Sequence, residues 1–299
     1  MSQITTIDLG SNSFRVLQYN CKTNQIINQY ETAVGTANGL TITKKISKES
    51  LNNIINAINH TKKLFKYDPS KVIAVTTQAM REATNSTTII DTIFQQTQIK
   101  FNIIDGNTEA KLTLLAIKYA LKREQISTDK FILIDIGGGS TEVIISNRTN
   151  TYTKSFELGI ITLTQAQNKQ NAFEEFTKDI YNFINTLNID LNQYTFISTA
   201  GTPTTIAALK NNLNYKTYDS NIVNGTIVTI EDCIYYKNIL LNSTKEEAIK
   251  LVGSGRIEYL ESGINIFEKF YELFSKTQSI VFDDGLREGV AIDWCINHN

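Results

Sequence analysis

The chain has 299 residues, of which 41% are hydrophobic and 20% charged, so a sizeable core can form in one large domain or two ordinary ones. Its 29 Lys and Arg residues against 30 Asp and Glu residues give a net charge of −1, which excludes a globally basic nucleic-acid-binding protein. No apolar run approaches the ~20 residues of a membrane span, and the start MSQITTIDLG lacks the features of a signal peptide. We therefore expect a cytoplasmic protein whose partners include neither nucleic acid nor a membrane.

The cysteines and histidines are few and scattered. Cys21, Cys233 and Cys295 are far apart and odd in number, which predicts no disulfide framework and favours a reducing compartment. His60 and His298 are the only histidines, so a Ser-His-Asp triad or a zinc site is not expected. Acid–base chemistry near neutral pH would then depend on carboxylates.

The first half of the chain predicts three strands and then alternating helices and strands. Runs rich in Ile, Val, Thr and Tyr predict strands at 3–9, 13–20, 25–32, 71–76 and 100–105. After Ser47, a candidate N-cap, one helical face comprises Leu51, Ile54, Ile55, Ile58 and Phe65. Further helices are predicted near 86–97 and from Asn107 to about residue 121.

The same order then begins again. Strands are predicted at 130–136, 142–147, 151–157, 194–199 and 278–283. Helices are predicted at 173–188, from Thr202 onward, through the apolar face that runs from Leu260 to Phe274, and at the end of the chain.

Two segments at the starts of these halves align without a gap. DLGSNSFRVL at 8–17 matches DIGGGSTEVI at 135–144, a separation of 127 residues, which is too long for a solenoid repeat. Chance recurrence of Asp-x-Gly turns is the alternative, but the matching downstream order favours duplication. We predict two α/β domains, 1–119 and 120–299, with the option that the final helix packs back on the first domain.

Gly- and Ser-rich turns follow the first strand of each half. Glycine lets backbone N–H groups approach an anion closely, and the hydroxyls of Ser11, Ser13, Ser140 and Thr141 add donors. Asp8 and Asp135 cannot bind phosphate directly, so they are expected to hold Mg²⁺ or a metal-bound water. Ordinary hairpin turns are the alternative. A third turn, 198–202, precedes a helix whose N-terminus favours an anion, but many α/β connections resemble it.

Two further charged residues follow strands. Glu109 lies in the first turn of a predicted helix, where a carboxylate interacts favourably with the helix dipole whether or not it is catalytic. Arg81 follows the strand at 71–76 and is either a surface residue or a bidentate phosphate ligand.

Together these segments resemble the exopolyphosphatase/guanosine-pentaphosphate phosphatase (Ppx/GppA) family of the actin-like, sugar-kinase and Hsp70 superfamily. The resemblance rests on IDLGSNSFRV (7–16), TTQAMREA (76–83), IIDGNTEAKL (103–112), IDIGGGSTEV (134–143), STAGTPTTIAAL (198–209) and DDGLREG (283–289). It implies an α/β fold of two duplicated actin-like, ribonuclease H-like domains with an interdomain cleft.

The resemblance also implies roles for individual residues. Glu109 corresponds to the catalytic base and Glu142 to an acidic residue that assists the water or the metal. Asp135, Glu142 and Asp8 are the expected metal ligands for Mg²⁺ or Mn²⁺. The residues expected to form the phosphate-binding site are Asp8, as part of the first loop and through the metal, and Gly10, Ser11, Asn12, Ser13, Arg81, Gly138, Gly139, Ser140, Thr141, Gly201 and Thr202.

Two positions depart from the family pattern, because Gly35 and Thr162 stand where relatives carry arginines. The chain would also lack the C-terminal helical domains of longer relatives. Fewer cationic contacts predict weaker binding of long polyanions, unless lysines elsewhere, such as Lys111, Lys154 and Lys210, rebuild a basic groove.

We therefore expect a Mg²⁺-dependent phosphoanhydride hydrolase that releases terminal phosphate from polyphosphate, with short chains preferred. The alternatives are a pppGpp 5′-phosphohydrolase acting in the stringent response, or a catalytically weak protein that senses polyphosphate or guanosine penta- or tetraphosphate. A sugar or acetate kinase would need an acceptor pocket that the sequence does not reveal. A homodimer is possible.

Overall fold

The computed structural model describes residues 3–298, and contacts within the chain divide it into two compact units. The first unit runs up to Ala116 and is completed by the residues from Leu286 onward; the second is Ile117–Gly285. The division falls inside one helix, three residues before the predicted domain boundary. Within the described residues, no helix has both the length and the apolar character needed to cross a membrane.

The first unit is built on a five-stranded mixed sheet. Its strands are β1 (Gln3–Leu9), β2 (Ser13–Asn20), β3 (Gln25–Ala33), β4 (Val72–Thr76) and β5 (Phe101–Ile103). Their order is β3-β2-β1-β4-β5; β1, β2 and β3 pair antiparallel, whereas β4 and β5 continue parallel to β1. The central β1 is buried on both faces beyond its first residue, which explains its almost continuous apolar and Thr sequence.

Helices cover this sheet. They are α1 (Leu40–Thr43), α2 (Lys48–Phe65), α3 (Gln78–Glu82), α4 (Ser86–Thr97), α5 (Gly106–Arg123) and, from the end of the chain, α13 (Leu286–His298). The predicted N-cap of α2 is confirmed, since the Ser47 hydroxyl accepts a hydrogen bond from the Ser50 N–H. The final helix α13 belongs to the first unit and lies so close to α5 that a Cβ at Gly289 would meet the Leu112 carbonyl oxygen at 2.0 Å.

The second unit is built on a six-stranded sheet. Its strands are β6 (Phe131–Ile136), β7 (Thr141–Ser146), β8 (Thr151–Phe156), β9 (Thr195–Thr199), β10 (Thr226–Thr229) and β11 (Gln278–Val281), in the order β10-β11-β9-β6-β7-β8. Its helices are α6 (Ile160–Gln165), α7 (Lys169–Leu187), α8 (Gly201–Lys210), α9 (Ser220–Val223), α10 (Ile230–Asn242), α11 (Lys245–Val252) and α12 (Ile257–Leu273).

The predicted duplication is confirmed by the topology of the two sheets. In chain order, β6, β7, β8, β9 and β11 take the same relative places as β1 to β5, with β10 added at the edge. A short 3₁₀ turn precedes β4 and another precedes β9, and each is capped by an aspartate, Asp68 or Asp190, that accepts from a backbone N–H at 3.0 Å. The expected α/β fold of two duplicated domains is therefore confirmed.

An aromatic cluster forms the centre of the second unit. Phe196 of β9 contacts Tyr271 and Phe274, with ring centroids 5.2 and 5.3 Å apart, and Phe270 stacks on Phe274. Tyr271 and Phe274 belong to the apolar face predicted between Leu260 and Phe274. Burial of each large ring contributes about 1.5–3 kcal/mol, so this face holds α12 against the sheet.

The expectation that the cysteines form no disulfide is wrong. Cys21, just after β2, and Cys295 of α13 form a disulfide with Cα atoms 5.3 Å apart. Their sequence separation of 274 gave no sign of this pairing, which exists because the first unit is completed by the end of the chain. Cys233 is a buried free thiol, and burial, followed by the nearby charges of Glu268 and Asp232, raises its pKa to about 12.

Candidate functional site

The first Gly turn joins β1 to β2 and carries five of the predicted phosphate-binding residues, Asp8, Gly10, Ser11, Asn12 and Ser13. The Gly10 N–H donates to the Ser13 carbonyl at 2.9 Å, which closes the turn. The segment after β3 packs against it, since the Val34 and Gly35 N–H groups donate to the Asn12 carbonyl and the Ala37 N–H donates to that of Ser11. The turn is therefore held by backbone hydrogen bonds from the segment that follows β3.

The second Gly turn has the same closure and a tighter support. The Gly137 N–H donates to the Ser140 carbonyl at 2.9 Å, and the carbonyls of Gly137 and Gly138 accept from the first N–H groups of α6. The approach of α6 requires glycine, because a Cβ at Gly159 would lie 2.4 Å from the Gly137 oxygen. The turn's four predicted phosphate-binding residues are Gly138, Gly139, Ser140 and Thr141.

Thr162, which the resemblance predicts to replace an arginine, has a local structural role. Its hydroxyl accepts from the Gly159 N–H at 2.7 Å and lies 3.4 Å from the Gly139 carbonyl. This hydroxyl caps the start of α6 beside the second turn. The position therefore contributes to the shape of the turn but adds no positive charge.

The aspartate that precedes each turn has a different partner on the neighbouring strand. Asp135 is opposite Glu142 in the antiparallel pairing of β6 with β7, whereas Asp8 is opposite Arg15 in the pairing of β1 with β2. Glu142 is 1% exposed and accepts a hydrogen bond from the Ser155 hydroxyl at 2.7 Å. The second unit thus places two carboxylates side by side, while the first unit places a carboxylate beside a cation.

The paired carboxylates are compatible with Mg²⁺, which proteins often bind through one or two carboxylates, with substrate phosphates and waters completing the shell. Among residues 3–298, no group of three or more His, Cys, Asp or Glu side chains is placed to hold a metal ion by itself. Asp135 and Glu142 fit such an open site. Asp8, with Arg15 opposite, has the less suitable surroundings for a metal ligand.

Glu109 and Arg81 meet at the start of α5. Asp105 caps this helix: its side chain accepts from the Thr108 N–H at 2.8 Å, and these hydrogen bonds from Thr108 hold the pKa of Asp105 below its usual value. Glu109 follows in the first turn, 9% exposed, and its Oε2 accepts from Nη1 of Arg81 at 3.0 Å. The predicted catalytic carboxylate and the predicted phosphate ligand are thus an ion pair within one unit.

The other N–H groups of Arg81 are also largely engaged. Nη1 donates to the Ile104 carbonyl at 2.6 Å, and both Nε and Nη2 donate to the side-chain oxygen of Gln78. A guanidinium has five N–H groups, so these bonds and the one to Glu109 leave a single one. A bidentate phosphate contact would therefore require Arg81 to give up one of its present partners.

The third turn places Gly201 and Thr202 at the N-terminus of α8. Ala200 before them has φ 74° and ψ −172°, a conformation that non-glycine residues rarely adopt. Thr202 is 4% exposed and packs against α12, where a Cβ at Gly263 would lie 2.2 Å from its hydroxyl oxygen. Thr202 is therefore held in a packed position within the second unit.

Sequence reasoning missed several charged residues with defined contacts. Arg123 makes a bidentate ion pair with Asp284 at 2.9 and 2.7 Å, and the hydrogen bonds that it donates to Asp284 raise the pKa of the guanidinium. Arg287 forms a buried pair with Glu288 at 2.5 Å. Three of these residues, Asp284, Arg287 and Glu288, lie in the segment DDGLREG, whose sequence predicted no role for them individually. Gln78 had no sequence signal beyond its place three residues before Arg81.

Two duplicated α/β units, each with a Gly turn after its first strand, define the class of fold to which the chain belongs. The chain belongs to the Ppx/GppA phosphatase family, whose model matches residues 16–298.

Individual relatives are similar over nearly the whole chain. A bifunctional 3-dehydroquinate synthase/phosphatase of Fusobacterium nucleatum is 23% identical over 96% of this chain, which spans 46% of that protein's length. A guanosine-5′-triphosphate,3′-diphosphate pyrophosphatase of Photobacterium profundum is also 23% identical over 96% of this chain, which spans 58% of it. The crystal structure of an exopolyphosphatase from Cytophaga hutchinsonii has a TM-score of 0.84 at 22% identity, with 99% of each chain covered, and supports the fold.

Proposed function

We propose that this hydrolase is a Mg²⁺-dependent exopolyphosphatase that releases the terminal phosphate of short polyphosphate chains. The observation that carries the proposal is the ion pair between the buried Glu109 and the half-buried Arg81, at 3.0 Å, at the start of α5. Phosphoryl transfer needs positioning, charge neutralisation and an oriented water more than covalent chemistry. A buried carboxylate held by a guanidinium is suited to orienting that water.

The remaining roles follow from the composition of the two turns. In the proposal, the Glu109 carboxylate orients the attacking water and accepts its proton. The Gly turns at 10–13 and 138–141 bind phosphate oxygens through backbone N–H groups and hydroxyls. Asp135 and Glu142 would hold Mg²⁺, which would neutralise charge on the phosphates when bound.

The preference for short chains is supported by the surroundings of the residues that could bind a long polyanion. Gly35 has φ +64°, a backbone conformation that residues with side chains rarely adopt, so an arginine at this position would be strained. Lys210 is held by Asp232 and the Ile227 carbonyl, and Lys154 lies over the Phe156 ring. Of Lys111, Lys154 and Lys210, only Lys111 makes no such hydrogen bond or ring contact. This supports the expectation that few of these lysines bind a long polyanion.

Phosphate release from polyphosphates of increasing length tests the proposal. We expect kcat/KM to be highest for chains of a few units and to show no further rise for chains of tens or hundreds of units. Omission of Mg²⁺ with added EDTA should abolish release. A kcat/KM that keeps rising into the hundreds of units would contradict the length preference, and full activity in EDTA would contradict the metal requirement.

Removal of the 5′-phosphate from pppGpp is the second candidate, favoured by the likeness to the Photobacterium profundum pyrophosphatase. Phosphate release from pppGpp and from tripolyphosphate, measured at equal concentration, decides between the two substrates. A protein that only senses these anions is the third possibility, for which binding without phosphate release is the expected result. The Glu109–Arg81 pair argues against a sensor, because a binding protein has no need of a water-orienting carboxylate.

A further inference from the structure

Gln78 holds the guanidinium of Arg81 on the side away from Glu109. Its side-chain oxygen accepts from Nε at 2.9 Å and from Nη2 at 2.7 Å, so two N–H groups of the planar guanidinium point to one atom. Gln78 is 5% exposed, and its neighbours Ala79 and Met80 are also buried, which keeps the short helix α3 in place. The plane of the guanidinium is therefore fixed by a buried acceptor.

Glu82 in turn fixes the orientation of the Gln78 amide. The Nε2 group of Gln78 donates to Oε1 of Glu82 at 2.5 Å. A flipped amide would place two donors against the guanidinium and an acceptor against the carboxylate, and would lose all three hydrogen bonds. Arg81 thus donates both to Glu109 and to Gln78, and Gln78 donates onward to Glu82, so the four side chains form one connected series of hydrogen bonds.

We propose that Gln78 is a positioning residue for the hydrolytic reaction: it sets the rotation of Arg81 and, through Arg81, the rotation of the Glu109 carboxylate. This inference rests on the proposed function of Glu109. With the guanidinium plane fixed by Gln78 and by the Ile104 carbonyl, Nη1 reaches Glu109 in one direction only. Loss of the Gln78 oxygen lets the guanidinium rotate and changes where the carboxylate presents its oxygens.

Gln78→Met tests this role, because methionine has a similar length and no hydrogen-bonding oxygen. We expect kcat to fall about 10- to 100-fold, since small misplacements of a catalytic group have effects of that size, while KM changes by less than about two-fold. The double variant Gln78→Glu/Glu82→Gln reverses the donor and acceptor between the two side chains and keeps an acceptor for Arg81. We expect the double variant to keep most of the wild-type kcat. Gln78→Glu alone should keep less, because its carboxylate then faces the carboxylate of Glu82.

Combination with Glu109→Gln separates positioning from a structural role. If Gln78 acts through Glu109, Gln78→Met should lower the residual rate of the Glu109→Gln variant by less than about two-fold, because groups that act as a unit are not additive. A residue that only stabilises the fold would lower the rate by the same factor in both backgrounds. Gln95→Met, at an exposed position on α4, is the control and should leave kcat, KM and the melting temperature unchanged.

These experiments distinguish a failure of the positioning role of Gln78 from a failure of the proposed hydrolytic function. An active wild-type enzyme with unchanged kcat in Gln78→Met, or with equal losses in both backgrounds, overturns the positioning role alone. A wild-type protein without phosphate release from tripolyphosphate or pppGpp overturns both proposals. Should Gln78→Met not fold, Gln78→Glu/Glu82→Gln decides, because recovered stability without recovered kcat contradicts the role.

Discussion

Glu109 combines burial, a helix N-terminus and a guanidinium at 3.0 Å. We expect Glu109→Gln to lower kcat by at least about 10²-fold, because the amide cannot accept a proton from the attacking water. The substitution keeps the size of the side chain and one hydrogen-bond acceptor for Arg81, so the melting temperature should change little. Steady-state phosphate release and thermal unfolding of the purified variant measure both quantities.

Glu49→Gln is the matched control for this substitution. Glu49 is also in the first turn of a helix in the same unit, α2, but it is exposed. Its replacement should leave kcat unchanged. Equal rates for Glu109→Gln and wild type would remove Glu109 from the mechanism.

Asp135 and Asp8 occupy equivalent positions in the two units, yet only Asp135 has a carboxylate opposite it. We expect Asp135→Asn to raise the Mg²⁺ concentration needed for half-maximal activity and to lower the maximal rate, because a hard cation prefers an anionic oxygen. Asp8→Asn should shift the Mg²⁺ requirement less, since Arg15 lies opposite. Mg²⁺ titrations of phosphate release compare the two, and an equal or larger shift in Asp8→Asn would contradict this assignment.

The contact between helix α6 and the second Gly turn determines the shape of that turn. Three groups of the turn accept hydrogen bonds from the start of α6, and Gly159 approaches the turn too closely for any side chain. The turn and the helix therefore form one piece of structure. Its geometry depends on a residue that lies outside the turn itself.

We expect Gly159→Ala to lower the free energy of unfolding by about 1–3 kcal/mol and to reduce phosphate release, because the added methyl would lie 2.4 Å from the Gly137 oxygen. Urea unfolding monitored by far-UV circular dichroism measures the first effect. Gly285→Ala is the stability control, because a Cβ there has its nearest neighbour at 3.9 Å. A Gly159→Ala variant as stable as wild type would show that α6 can move away without cost.

Most long elements could be predicted from the sequence, and most short ones could not. The strands of both sheets have β-branched and aromatic runs, and α2, α7 and α12 have clear apolar faces, so local pattern and tertiary burial agree. Helices α1, α3 and α9 have four or five residues, too few for a helical period to be seen. The helix α10 was missed because Ile234, Tyr235 and Leu241 are exposed on it and obscure its buried face.

The disulfide between Cys21 and Cys295 joins the two chain segments that make up the first unit, at a sequence separation of 274. We expect its reduction to lower the free energy of unfolding by about 2–5 kcal/mol, because the cross-link restricts the unfolded chain. Urea unfolding with and without dithiothreitol measures the difference. The Cys21→Ser/Cys295→Ser variant should not respond to the reductant, which is the control.

Thiol titration of the denatured, unreduced protein checks the pairing itself. One reactive thiol, that of Cys233, is expected from the three cysteines of the chain. A count of three thiols in protein purified without reductant would contradict the disulfide. In the native state Cys233 should react slowly, because it is buried and its pKa is raised to about 12.

The sequence by itself determined the family, the duplicated α/β architecture and the candidate residues of the Gly turns, because these depend on local patterns: apolar runs, turn residues and their order along the chain. Only the tertiary structure decided how side chains far apart in sequence meet. It paired Arg81 with Glu109 and Gln78, placed Glu142 opposite Asp135 and Arg15 opposite Asp8, and joined Cys21 to Cys295. Hydrogen bonds and disulfides depend on distance and direction in space, and a single sequence contains that information only through the fold.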